Sequence, residues 1–520
     1  MSAEPIGRHR TYGGWQREKV AFLFGLSASQ AVMLCGAVLA AITPLAVTDM
    51  RAAVLLWPAA AVLAAAALVR VAGRTGDEWA AGLVSHLMIV SRGQHRFAGG
   101  PFTPFPPSFP AFGCLATAEN TQLDLPGILA PLRILSVPAA ARDLAVVENR
   151  HERTWTAVAR VRFPGTGLSD SARRDQRVAG WGALLASLCT EGGPLTRVQA
   201  LQRLVPESGA ALRSWHAAHL APGAPELAVS VAGELLATAM LTTTRREAYL
   251  AITMDGRRTR AQVRAAGGGD RGAAVVLVRH LRGLHQALAS ADLTVEDWLG
   301  TRDLAEVIRT AYDPHSQPLL AGRRAAAAQA AARGAADGSL PPGVSPDLAA
   351  PVYAEARAGT YLHDGAVSAS YWVHSWPGQA YSTALGPLLG DGSHRRSFAV
   401  IFEPLSPRTA QRAVMRERTA RHVAVRMRQR TGQIVPEHER AAMERALGQD
   451  AEQAAGHGLV RFTGYATVTA TDGTIEDACT ALEADAAAAR VELRRMWFAQ
   501  DSGFALGALP LGLGLPRRRW

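Results

Sequence analysis

Lysine is almost absent from this 520-residue chain: Lys19 is the only one among 55 basic residues, and the other 54 are arginine. A P-loop needs a lysine after its glycine-rich turn to reach nucleotide phosphates, and Lys19 simply follows Glu18, which excludes a standard Walker A site. Cysteine is scarce too. Cys35, Cys114, Cys189 and Cys479 lie far apart, with no CxxC pair and no neighbouring histidines, so they read as buried thiols in a reducing compartment rather than zinc ligands. HExxH, GxSxG and Asp-x-Asp are all missing, and His151-Glu152 and His438-Glu439 lack the second histidine of a zinc helix. No catalytic, cofactor-binding or metal-ligating residue is therefore assigned, no cofactor is expected, and the chain reads as a non-enzyme.

The formal charge of +11 has a bland origin. Arginine, alanine and glycine are all favoured by GC-rich codons, so the charge is discounted as evidence for a nucleic-acid surface. Gly267, Gly269 and Gly272 match GxGxxG, with Asp292 near the position of a ribose-binding acid, but a dinucleotide site needs a buried strand running into its first glycine. Here the arginine-rich GRRTRAQVRAA intervenes, which makes the segment a flexible loop. His280 and His285, five apart, do not share a helical face. The eight arginines between Arg408 and Arg430 are read as a solvated face with local Glu417 pairing.

Two long uncharged runs stand near the N-terminus. Residues 20–47, with the apolar part at about 28–47, and residues 52–69 are separated only by Thr48 to Arg51, and about 20 apolar residues are what a helix needs to cross a bilayer. Arg8, Arg10, Arg17 and Lys19 precede the pair while Arg70 and Arg74 follow it, so the expectation is a transmembrane hairpin in the cell (inner) membrane with both termini cytoplasmic.

Beyond it, PFTPFPPSFPAF forms a spacer, and then strand and helix patterns interleave. Thr154 to Phe163 alternates like a half-buried strand, Val178 to Leu188 and Leu277 to Leu288 show helical spacing, and Asp364-Gly365 marks a hairpin. The expected organisation is a cytoplasmic segment at 1–19, the hairpin at 20–70, a juxtamembrane helix and Pro/Phe linker at 71–140, a first α+β domain at 141–320, an Ala/Gly/Pro linker at 321–350, and a second α+β domain with an apolar tail at 351–520. The expected fold class is membrane-anchored α+β, a transmembrane helical hairpin followed by ferredoxin-like α/β sandwich domains.

FLFGLSASQAVML and GRTGDEWAAGLVSHLMIVSRGQHRF, within residues 20–97, resemble the PrgI family of two-helix membrane subunits of conjugative type IV secretion systems. VENRHERTWTAVARV, AGWGALLASL and the closing QDSGFALGALPLG are similar to the N-terminal, non-motor region of the large ATPases of the same machines, and actinobacterial conjugative elements encode such fusions. The resemblance implies a membrane scaffold of a DNA-transfer machine that docks a separately encoded secretion or conjugation ATPase. Other membrane subunits, further copies of the chain and anionic lipids are the additional partners it implies, with direct nucleic-acid binding left open. A membrane component of a type VII secretion apparatus and a membrane-attached enzyme are the alternatives. The apolar tail after Phe504 is expected to bury its leucines on a partner, the alternative being packing on its own domain.

Overall fold

The computed structural model describes residues 12–13, 28–47, 50–71, 74–99, 120–122, 124–138, 143–163, 170–206, 210–240, 244–332, 342–377, 379–380, 383–390, 392, 394–430, 437–454 and 457–514. The Pro/Phe spacer at 101–112, Cys114, and the segments 1–11, 14–27 and 515–520 lie outside them.

In chain order the elements are α1 (Ala28–Val47), α2 (Met50–Leu68), α3 (Gly76–Ser91), β1 (Arg96–Ala98), β2 (Asn120–Gln122), β3 (Leu132–Pro138), β4 (Asp143–Asn149), β5 (Thr154–Arg162), α4 (Ser171–Ser187), β6 (Leu195–Pro206), α5 (Ala210–His219), α6 (Glu226–Met240), β7 (Thr244–Asp255), α7 (Arg260–Ala265), α8 (Gly269–Ser290), β8 (Thr294–Trp298), α9 (Thr301–Tyr312) and α10 (Gln317–Ala332). There follow β9 (Tyr353–Ala356), β10 (Tyr361–His363), β11 (Ala366–Ser375), β12 (Arg395–Pro404), α11 (Pro407–Arg430), α12 (Glu437–Ala454), β13 (Val460–Ala470), α13 (Ile475–Ala488), β14 (Glu492–Arg495) and α14 (Gln500–Ala508). They divide into two compact units, one of Met1–Tyr12, Gln94–Leu405 and Val460–Trp520, the other of Gly13–Gly93 and Ser406–Leu459.

The larger unit is built on one 14-stranded antiparallel sheet in the order β1-β9-β10-β11-β13-β12-β6-β7-β5-β4-β3-β2, with β14 beside β11 and β8 beside β5. Its two halves repeat one path. In the first, β5, β6, β7 and β8 lie in the order β8-β5-β7-β6; in the second, β11, β12, β13 and β14 lie in the order β14-β11-β13-β12. A helical pair is inserted at the same place in each path, α5 and α6 between β6 and β7, α11 and α12 between β12 and β13. The halves meet where β6 and β12 pair antiparallel, with Ala200 opposite Val400. The expected separate sandwich domains are thus corrected to one continuous sheet, because each half lends its edge strand to the other and so covers its open ladder.

One face of the first half is covered by α4 and α8, whose Leu184, Leu277 and Leu281 meet Ala157, Leu250 and Ile252. In the second half α13 packs Cys479 and Leu482 on Tyr371, Ala466 and Val468. The opposite face carries a core shared by both halves: α9 with Leu304, Ile308 and Tyr312, and the chain from Phe504 to Leu513, lie on Val158, Leu201, Ile401 and Tyr465. The apolar tail therefore packs on its own sheet, and the expectation that it docks a partner is overturned.

In the second unit α1 and α2 form an antiparallel pair, with Gln30 Nε2 donating to the Ala67 carbonyl at 2.9 Å and Trp57 Nε1 to that of Ala41 at 3.3 Å. Ala37, Ala53, Ala60 and Ala67 are buried, so small side chains let the backbones approach. The transmembrane hairpin is nevertheless corrected: no helix among the described residues is long and apolar enough to cross a membrane. Ser29 and Gln30 occupy the first turn of α1, and each helix holds a proline, Pro44 in α1 and Pro58 in α2. The two-pass inner-membrane localisation loses its support with it.

Candidate functional site

Strand β6 supplies the polar side chains around which the shared face is organised. Arg197, Gln199 and Arg203 recur at the period of a strand, the pattern of a solvent-facing edge, yet all three are buried. Gln199 Nε2 donates to the carbonyls of Leu506 (3.1 Å) and Leu509 (2.9 Å), and its Oε1 accepts from the Gly512 amide at 2.9 Å. Arg197 Nη1 donates to the Gly512 carbonyl at 2.7 Å and lies 3.3 Å from Glu152, with Glu403 at 3.6 Å from its Nε. Arg203 reaches the Val307 carbonyl and Thr310 Oγ1, both at 2.9 Å. The C-terminal strap, which has no strand partner, thus finds hydrogen bonds on side chains of the sheet, and Arg203 ties α9 to the same face.

The strap runs across both halves. Gln500 Oε1 accepts from the Ser370 amide of β11 at 2.8 Å, and farther along Thr253 Oγ1 of β7 donates to the Gly512 carbonyl at 3.3 Å. Gly512 has φ +64°, and a Cβ there would collide with Thr253 and Thr156, so the close approach requires glycine. Gln199 and Arg203 spend their polar groups on the fold, and of Arg197 only Nε, 3.6 Å from Glu403, makes no hydrogen bond, so the row acts as a lock on the strap.

Two further buried polar clusters follow the same logic. Arg395 donates to Gln317 and the Thr310 carbonyl; burial, with the like charge of Arg203, brings its pKa down to about 9. Burial opposes ionisation of Glu247, but Arg203, Arg245 and a hydrogen bond from Tyr249 outweigh it and hold the carboxyl below its usual range. His363 is buried between the Tyr312 carbonyl at Nδ1 and Ser368 Oγ at Nε2, 2.8 Å away. Nδ1 faces an acceptor, so it carries the proton and Nε2 accepts from Ser368.

Burial depresses the pKa of His363 to about 4. A base depressed in the fold contributes stability that is fully present above its unfolded pKa near 6.5 and is lost as pH falls through about 4, amounting to about 3 kcal/mol. Urea unfolding between pH 7 and 4 is expected to show this loss. The His363→Gln variant should lose correspondingly less across that window, and an identical pH slope in both proteins would contradict the assignment.

The glycine motif lies in the turn between α7 and α8, with Gly267, Gly268 and Gly269 all at positive φ. The helix α7 runs into it, and Gly269 and Gly272 belong to α8, so the expected flexible loop is corrected to a tight helix–turn–helix. His280 pairs with Gln262 at 3.0 Å. Among the described residues no group of three or more His, Cys, Asp or Glu could hold a metal ion. Cys189 and Cys479 are buried free thiols, and burial pushes both up; Cys35 is exposed.

The two inserted helical pairs are the exposed surfaces of distinct chemistry. In α6, Leu227, Val231 and Leu235 recur at four-residue spacing and are 76%, 47% and 65% exposed. In α5, Leu212 and Trp215 are exposed as well, Trp215 stacking on His219 with ring centroids 4.5 Å apart. Composition drew no attention to this segment. The available signal was the Leu227, Val231, Leu235 spacing, which fits a buried stripe equally well. The α11–α12 pair instead buries Ala410, Val414 and Ala446 and exposes arginine. No protein-family model matches this chain, and no curated protein matches it.

Proposed function

We propose that the chain is a non-catalytic scaffold of a DNA-transfer machine of the type IV secretion kind, and that a separately encoded ATPase docks on its α5–α6 insertion. The observation that supports this reading is the exposed Leu227, Val231 and Leu235 stripe of α6. Apolar side chains aligned on one face of an exposed helix are characteristic of helix-in-groove recognition. The likeness of residues 147–161, 179–188 and 500–512 to the non-motor region of conjugation ATPases suggests the partner's class. A broad sheet locked by its own C-terminal strap is a rigid base for such an insertion.

Complete burial of these three side chains is worth about 1.5 kcal/mol or more each. Replacing Leu227, Val231 and Leu235 together by glutamine is therefore expected to weaken capture of the conjugation ATPase at least a hundredfold. The thermal unfolding of the scaffold itself should hardly change, because the positions are exposed. Undiminished capture by a folded triple variant would reject α6 as the docking face.

A further inference from the structure

We infer that α11 is a nucleic-acid-binding helix that grips the phosphodiester backbone through its row Arg408, Arg412 and Arg416. Eight of its 24 residues are arginine, against 54 in the 520 of the whole chain, an enrichment that a genome-wide codon bias does not produce. With Glu417 its only acid, the helix carries seven net positive charges (eight minus one, His422 neutral). The fold disposes of the remainder selectively. Arg418 pairs with Asp450 of α12 at 2.6 Å, and the buried Arg421 lies 3.6 Å from Glu417. Arg408, Arg412 and Arg416 are exposed, as are Arg426 and Arg430 farther along.

Residues four apart on a helix share a face and are separated by about 6 Å along its axis. Three guanidinium groups so arranged form a straight cationic row with the spacing of successive phosphates on one strand, and each can fork onto phosphate oxygens. The side of α11 opposite the row is already spent, Ala410 and Val414 being buried within the unit that contains α12, and the exposed Met415 and Val423 lie among the arginines and form no separate apolar side. An anionic bilayer would need such a side free to enter the interface, so nucleic acid is the favoured polyanion. The insertion at the equivalent place in the first half makes the contrast. Together α5 and α6 contain one arginine, Arg213, in 25 residues and present leucine and tryptophan. The repeated path has thus received one apolar and one cationic insertion, and this assignment stands independently of the reading of α6.

The test is fluorescence anisotropy of the full chain with labelled single-stranded and duplex oligonucleotides of mixed sequence, titrated at several salt concentrations. Binding is expected to be insensitive to sequence and to fall steeply with salt. The Arg408→Gln/Arg412→Gln/Arg416→Gln variant should bind at least tenfold more weakly, and its log–log salt slope should flatten by about 2 to 3. A control with the same charge loss, Arg271→Gln/Arg279→Gln/Arg282→Gln on exposed positions of α8, should stay within about twofold of the unaltered chain. Failure of the unaltered chain to bind either oligonucleotide at low salt would overturn the inference. So would equal weakening by both triple variants, or capture by phosphatidylglycerol vesicles without oligonucleotide binding.

Discussion

A chain ending at Ala499 is expected not to fold. The residues removed include Phe504, Leu506, Leu509, Leu511 and Leu513, all buried in the core shared by the two halves of the sheet. At about 1.5 to 3 kcal/mol for each buried side chain their loss amounts to roughly 10 kcal/mol, the size of the entire stability of an ordinary domain. Among the described residues α9 covers part of that face, but without the strap Leu201, Ile401 and Tyr465 would lose a large share of their cover together with Arg197 and Gln199 of β6. Circular dichroism of the truncated chain should show no cooperative thermal transition. A cooperative transition close to that of the complete chain would mean that the strap is dispensable to the core.

The next largest effect is expected from one side chain. Gln199→Leu is close to isosteric, so it leaves the packing of β6 nearly intact while removing three hydrogen bonds. The carbonyls of Leu506 and Leu509 and the amide of Gly512 then lose their partner in a buried setting. At about 1 to 3 kcal/mol for each stranded backbone group, partly relieved by relaxation of the strap, the variant should be about 4 kcal/mol less stable. Urea unfolding with an unchanged m-value is the measurement. A loss below about 1 kcal/mol would show that the strap holds its place by apolar contact alone.

These two effects mark the part of the fold that was hardest to read from sequence. Thr154 to Phe163 alternates with period two and forms β5, and Asp364-Gly365 lies at positive φ in the turn between β10 and β11, because both patterns are local. The strap has no period. Its ALGALPLGLGL composition denotes apolar character and backbone freedom, but its hydrogen-bond partner lies more than 300 residues earlier. Seen alone, Arg197, Gln199 and Arg203 look like the solvated side of a strand, which conceals both the seam with β12 and the burial of that face. The N-terminal apolar runs are legible as composition, and the polar first turn of α1 weighs against the span inferred from them. The α11 arginines were legible as residues, but their sorting into paired and exposed positions depends on α12.

The central claim is that the sheet and its strap are a fixed platform and that the partner is engaged by the inserted helix α6. Hydrogen exchange of the full chain, alone and with the conjugation ATPase proposed as its partner, tests it most directly. The strap over residues 504–513 should be strongly protected in both states, while protection of residues 226–240 should be low in the free chain and rise on complex formation. Unchanged exchange in residues 226–240, with new protection confined to the strap, would contradict the account.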